Sequence, residues 1–395
     1  MDGLIYLDNN ATTPLDAQVL EAMMPYMTSL FGNASSLTHR AGRAAAAAVD
    51  IAREQVAALI GATPKEIVFT SGATEAINMA IKGVFEHYQT KGKHFITCLT
   101  EHKAVLDTLA YLAKKGAEVT YLPVDGQGRL DLRLLEEAIR PDTVLVALMH
   151  ANNETGVIHP VEAIAAIAAK HDVLFFCDAT QGIGKVPLNA PAVGIDLLCV
   201  SAHKLYGPKG AGALYIRRKN KRIQTGALFH GGGQENRYRA GTLNVPGIVG
   251  LGKAAELAAH DMLATGHRLA QLRDELEAAL TQLPATFING RQAPRLPHVS
   301  NITFRHLKAD QIMAGAPGIA LASGSACVSG TRDPSHVLKA MGLTDADAHA
   351  SLRFSLGRFN TDDDIRTCTA QISAAVERLR ESSPVWQLYE NGKIE

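Results

Sequence analysis

Seven short aliphatic and β-branched runs, separated by alanine-rich stretches with helical spacing, constrain this chain more than any other feature. They span Glu66 to Thr70, His94 to Cys98, Val119 to Leu122, Thr143 to His150, Val173 to Cys177, Ile195 to Val200 and Gly212 to Ile216. Runs of this length and composition are buried strands, and their alternation with helical patterns predicts a mainly parallel, doubly wound α/β sheet. Ligands of open α/β sheets gather in the crevice at the carboxyl ends of the strands. The polar groups that follow the runs are therefore the candidate site residues: His102, Asn153, Asp178 and Lys204.

Lys204 closes Ser201-Ala202-His203-Lys204, directly after the sixth run, and the glycine-rich Gly207-Pro208-Lys209-Gly210-Ala211-Gly212 follows it. A lysine at the mouth of a buried strand loses its proton more easily than a solvated one, and the neutral amine bonds carbonyl carbon. Pyridoxal 5'-phosphate is the carbonyl cofactor that this chemistry suggests; the plainer alternative is one more surface cation. Asp178 ends the fifth run, where a carboxylate can pair with a pyridinium nitrogen or cap a helix. Gln181, three residues on, is placed to reach a ring hydroxyl.

A phosphate site is offered by Ile67-Val68-Phe69-Thr70 leading into Ser71-Gly72-Ala73-Thr74-Glu75, since a strand, a small-residue turn and a helix start leave backbone N–H groups for an anion. Thr74 adds a hydroxyl, and Ser201 and His203 stand beside the lysine; an ordinary helix cap is the alternative. The Walker pattern and a strand-linked G-x-G-x-x-G are absent, which removes the usual nucleotide sites. His102, in Thr100-Glu101-His102-Lys103, is a candidate acid and base over the ring, or a structural histidine.

These motifs, in this order, resemble the cysteine desulfurases of the NifS/IscS type, within the fold-type I pyridoxal phosphate enzymes and the class V aminotransferase family. The resemblance runs nearly end to end, from Tyr6-Leu7-Asp8-Asn9-Asn10-Ala11-Thr12-Thr13-Pro14 through Asn152-Asn153-Glu154-Thr155-Gly156 and His230-Gly231-Gly232-Gly233-Gln234-Glu235 to Arg353-Phe354-Ser355-Leu356-Gly357-Arg358. It implies that Lys204 bonds the cofactor aldehyde, that Asp178 and Gln181 hold the ring nitrogen and hydroxyl, and that His102 stacks on the ring. It assigns the phosphate to Thr74, Ser201, His203 and the backbone of Ala73, with Thr242 reaching it from the other subunit of a homodimer. The substrate carboxylate falls to Asn153 and Arg353, a role that suits the planar fork of a guanidinium.

Cys327 lies in Ala322-Ser323-Gly324-Ser325-Ala326-Cys327-Val328-Ser329-Gly330, and the resemblance makes it the thiol that takes sulfur from L-cysteine as a persulfide, leaving L-alanine. Cys98, Cys177 and Cys199 are expected to be small buried apolar residues. The long form of the cysteine loop, through Asp333-Pro334-Ser335-His336-Val337-Leu338, is similar to the NifS/IscS branch and implies little dependence on an activating acceptor. Alanine stands at Ala34 and Ala322 where the family usually has proline and serine; neither change removes a functional group. A selenocysteine lyase or another pyridoxal-phosphate enzyme of small amino acids is the alternative, though an aminotransferase gives Cys327 no role. A hydrolase would need a G-x-S-x-G elbow beside His230-Gly231-Gly232-Gly233, and the sequence has none.

Of 395 residues, 39 are basic and 39 acidic, which gives no electrostatic reason for a nucleic-acid partner. No stretch approaches the length of a membrane span, the first residues lack the pattern of a signal peptide, and five scattered cysteines suit a reducing compartment. A cytoplasmic enzyme handing sulfur to an acceptor protein, such as an iron–sulfur scaffold, is the expectation, with no metal site. A large cofactor-binding domain is expected over 15–258. A smaller α/β domain is expected over 1–14 and 259–395, carrying the cysteine loop and entered through a long helix after Gly247.

Overall fold

A computed structural model describes residues 3–218, 223–323 and 333–393; Cys327 lies outside the described residues. Thirteen strands occur among them: β1 (Ile5–Tyr6), β2 (Ile67–Thr70), β3 (His94–Cys98), β4 (Glu118–Leu122), β5 (Thr143–Met149), β6 (Leu174–Asp178), β7 (Leu197–Ser201), β8 (Gly212–Ile216), β9 (Thr286–Ile288), β10 (Val299–Phe304), β11 (Ile319–Ala320), β12 (Ala322–Ser323) and β13 (Ser351–Ser355). Strands β2 to β8 are the seven runs expected from the sequence, with ends that coincide or move by at most two residues. They form one sheet in the order β2-β8-β7-β6-β5-β3-β4.

The sheet is parallel from β7 to β4, while β8 runs antiparallel to both β7 and β2. Two reversals restore the direction, so β2 ends on the same side as β7, β6, β5 and β3. Its central strands are buried on both faces, as crossover helices require. Alternate residues serve opposite cores: Phe175, Cys177, Leu198 and Val200 pack on one side, and Leu174, Phe176, Leu197 and Cys199 on the other.

A second sheet, β12-β13-β10-β9, carries its own core of Ile302, Phe304, Leu352 and Phe354. The helix Val245–Leu280 joins the two. Its early residues Ile248, Leu251 and Ala255 belong to the first core, and Leu269, Leu272 and Leu276 to the other. The start of the chain sides with the second sheet: β1 pairs in parallel with β11, and Asp8 bridges Ser355. Between these anchors and the helix Ala17–Met27, residues 8–16 run past the carboxyl ends of the large sheet. Trp386, near the end of the chain, is buried, with the Arg380 guanidinium 4.1 Å above its ring.

Gly72 and Gly212 meet where β2 and β8 open toward the crevice. Gly72 has φ 152° and ψ −177°, a region that side-chain-bearing residues avoid. A Cβ on Gly212 would lie 2.6 Å from both the Gly72 Cα and the Val200 oxygen. Gly212→Ala therefore displaces the turn that starts the helix Ala73–His87. It is expected to cost about 1–3 kcal/mol and to loosen cofactor retention together with thermal stability; melting curves with and without added cofactor check this, and an unchanged melting temperature would contradict it.

Candidate active site

Strand order brings the scattered candidates together. Neighbouring parallel strands lie about 4.8 Å apart, and the ends of β7, β6, β5 and β3 deliver Lys204, Asp178 with Gln181, Asn153 and His102 in that sequence. With the turn after β2, they line one cavity of about 670 Å³, a size suited to a small cofactor with its substrate. Ala73, Thr74, Ser201, His203 and Arg353 line it as well. Thr242 does not: it is exposed, on the loop after Glu235. That loop is pinned by Glu235, whose carboxylate accepts both terminal nitrogens of Arg53 at 2.7 and 2.8 Å and the Phe69 N–H at 2.7 Å.

The Lys204 ammonium donates to the backbone oxygens of Asn10 and Ala11, the latter at 2.7 Å. Gln181 Nε2 donates to the same Asn10 oxygen at 3.0 Å. Asn10 is held in turn, since its N–H donates to Ser355 Oγ, its Nδ2 donates to the Asn153 oxygen and its Oδ1 contacts His298 Nε2. The turn carrying the lysine is strained at Tyr206, whose φ of 63° is left-handed. Thr13 Oγ1 accepts the Tyr206 N–H at 2.8 Å, and Arg358 lies 4.1 Å over the ring.

Asp178 is 5% exposed, and no cationic side chain pairs with it among the described residues. Its Oδ1 accepts the Thr180 N–H at 3.0 Å and the Cys199 S–H at 3.2 Å. A buried carboxylate without a counter-ion is costly, so a cationic ring nitrogen entering the cavity would meet a group prepared for it. Burial first, then the charge of Asp178, pushes the Cys199 thiol far above its ordinary range, keeping the proton it donates. Cys199 is therefore more than the buried apolar residue expected from the sequence.

The helix Ala73–His87 starts at Gly72 without a side-chain cap. Its first N–H groups open to the cavity beside Ser201 and His203, the arrangement that a phosphate dianion fits. Burial, then Lys204 and Lys209, lowers His203 to about 4, so its ring is neutral at pH 7. The uncapped helix, the unpaired Asp178 and the lysine between them form a donor set that pyridoxal phosphate fits.

His102 is exposed and caps the helix Lys103–Ala113, its Nδ1 accepting the Ala104 N–H at 3.1 Å. This is the structural alternative, and the same contact occupies Nδ1 and leaves Nε2 as the other ring nitrogen. Beside it, Glu101 is fully buried, accepts the Met149 N–H at 2.7 Å, and is pushed far above the carboxylate range by burial. Asn152 builds the turn that presents Asn153, its Oδ1 accepting the N–H groups of Glu154 and Thr155. Arg353, on β13, is 2% exposed.

Sequence reasoning missed Asn10, Cys199 and Lys185. Lys185 is half-buried beneath the site, donates to the Lys204 oxygen at 2.8 Å, and is lowered to about 7 by desolvation and then by Arg358 and Lys204. No local pattern marks it.

The aminotransferase class-V family model matches residues 5–367. The chain is 50% identical over 389 residues to the cysteine desulfurase IscS of Anaeromyxobacter dehalogenans, covering 98% of this chain and 96% of that one. It is 49% identical over 390 residues to the cysteine desulfurase IscS of Actinobacillus succinogenes, with the same coverage. Among solved structures it resembles a NifS-like protein at TM-score 0.87 and 37% identity, over 95% of this chain and 99% of that one. A structure of SspA in complex with cysteine superposes at TM-score 0.80 and 37% identity, over 90% and 100%. The chain belongs to the class-V aminotransferase family and, within it, to the cysteine desulfurases.

Cys199→Ala removes one donor from Asp178 and should weaken the hold on its charge by about 0.5–1.5 kcal/mol. The pH at which the bound cofactor changes its absorbance then shifts, whereas Cys199→Ser, which keeps a donor, restores it. Identical spectral titrations of parent and both variants would contradict this.

Proposed function

We propose that this chain is a pyridoxal-phosphate-dependent cysteine desulfurase that converts L-cysteine to L-alanine and receives the sulfur on Cys327. The observation that carries the proposal is the cavity in which Lys204, the unpaired Asp178 and the uncapped helix start converge. The identity to cysteine desulfurases and the likeness to a chain solved with cysteine support the substrate.

When bound, pyridoxal 5'-phosphate supplies an electron sink for the negative charge that develops at the substrate Cα. Lys204 and Asp178 hold its aldehyde carbon and ring nitrogen. Gln181 serves the ring hydroxyl, and Ala73, Thr74, Ser201 and His203 serve the phosphate. Arg353 and Asn153 orient the substrate carboxylate, and Lys204, turned by the Asn10 and Ala11 carbonyls, takes the Cα proton. The Cys327 thiolate attacks the substrate sulfur, so a sulfur–sulfur bond forms as the carbon–sulfur bond breaks. The electron pair of the broken bond stays with the substrate Cβ, which is protonated to the methyl of alanine, and Lys204 returns the proton it took to Cα. His102, whose Nδ1 is taken up by the helix cap, moves protons at this stage through Nε2. Cysteine and one thiol thus become alanine and one persulfide, with no external oxidant.

A homodimer completes the site, with Thr242 reaching the phosphate of the partner. Its exposed position outside the cavity of its own chain supports this, as does the exposed apolar band of Met24, Met27, Phe31 and Leu37. The proposed division into 15–258 and 1–14 with 259–395 is supported by the two cores that the helix Val245–Leu280 bridges. The persulfide is consumed by a sulfur-acceptor protein, an iron–sulfur scaffold being the proposed one, in the cytoplasm; no described helix is long and apolar enough to cross a membrane.

Lys204→Ala is expected to abolish turnover and the absorbance of the bound cofactor. Borohydride reduction and peptide mapping of the parent should find the pyridoxyl group on Lys204, and a label on Lys209 would overturn the assignment. Cys327→Ser should keep the cofactor and bind cysteine yet release neither alanine nor sulfide at the parent rate, because a hydroxyl ionises far less readily and holds no persulfide. A serine variant as fast as the parent would refute the sulfur-transfer step.

A further inference from the structure

The carboxylate site already holds a carboxylate of the chain itself. Arg353 Nη2 donates to Asp8 Oδ1 at 2.7 Å and Nη1 donates to the Asn153 oxygen at 2.9 Å. Its Nε is buried and has no hydrogen-bond partner among the described residues. A guanidinium carries five N–H donors in one plane, so two are engaged and three remain for an incoming anion.

Asp8 is not free to swing away. Its backbone bridges Ser355, and Tyr6 Oη donates to its carbonyl oxygen at 3.0 Å. Its side chain keeps 21% exposure against 2% for Arg353, which places it on the wetter side of the pair. An approaching substrate carboxylate therefore meets a nearly neutral ion pair instead of a bare cation, and it must share the guanidinium with a like charge or displace it.

We propose that Asp8 sets the strength of the substrate-carboxylate site: it positions Arg353 and also competes with the substrate for it, holding cysteine affinity below what the guanidinium alone would give. This rests on the assignment of the substrate carboxylate to Arg353. Two functions follow from the one contact. The buried guanidinium keeps a counter-ion when no substrate is bound, which avoids an isolated buried charge. Anions that bind through the carboxylate alone are held weakly, so selectivity for the amino acid comes from amine and carboxylate together.

The test uses the cofactor-loaded enzyme and the variants Asp8→Asn, Asp8→Ser and Arg353→Ala. Asparagine keeps an oxygen for Nη2 while removing the charge. Asp8→Asn should lower the KM for L-cysteine about three- to tenfold without raising kcat. It should tighten inhibition by 3-mercaptopropionate, which has the carboxylate and no amine, and leave inhibition by cysteamine, which has the amine and no carboxylate, unchanged. Asp8→Ser should shift KM in the same direction and stands in for the asparagine variant if that one fails to fold. A purely structural strut would instead raise KM in both variants, and a raised or unchanged KM at full cofactor content overturns the proposal. Arg353→Ala separates the two assignments. If it weakens L-cysteine while the Asp8 variants fail to tighten it, only the competition falls; if it leaves L-cysteine binding intact, the carboxylate assignment falls and the proposal with it.

Discussion

The grip of the Asn10 and Ala11 carbonyls on the Lys204 ammonium is the contact on which the rest of the site depends. It ties the C-terminal edge of the large sheet to a segment that belongs, through β1 and Asp8, to the second sheet. A hydrogen bond to an ionised donor is stronger than a neutral one, and here one carbonyl also receives Gln181. The strained Tyr206 and the half-buried Lys185 hold the far side of the same turn. The lysine is thus oriented by backbone from two bodies of the fold, and so are Asn153 and Arg353, which meet through the Asn153 oxygen.

Charge is distributed unevenly along the cavity. Asp178 is buried and without a cationic partner among the described residues, whereas the other end offers uncapped amides and a histidine kept neutral by burial and by the nearby lysines. Glu101, beside His102, is pushed far above the usual carboxylate range by burial. The arrangement favours a cation at one end of the cavity and an anion at the other.

Much of this was legible in the sequence because strand burial is written in composition. All seven runs are strands, and since ligands collect at strand ends, the residues just after them proved to share one cavity. Two kinds of feature were not legible. The reversal of β8 depends on tertiary pairing, and Val, Ile and Leu report burial without reporting strand direction. The carbonyls of Asn10 and Ala11 do their work through backbone atoms that every residue carries, so no side-chain pattern announces them. Cys199 shares the composition of its apolar strand and differs only in aiming a donor at Asp178. At His102 the structural alternative is the one observed, and the helix cap occupies Nδ1 while leaving Nε2 for the proposed proton transfer.

The central claim is that a lysine, a carboxylate and a cysteine thiol on one chain split cysteine into alanine and transferable sulfur. The most direct measurement incubates the purified, cofactor-loaded protein with L-cysteine and a thiol reductant and quantifies L-alanine and sulfide in the same samples over time. Equal amounts of the two, rising together without pyruvate, are the predicted result. Pyruvate in place of alanine, or a keto acid formed without sulfide, would contradict it.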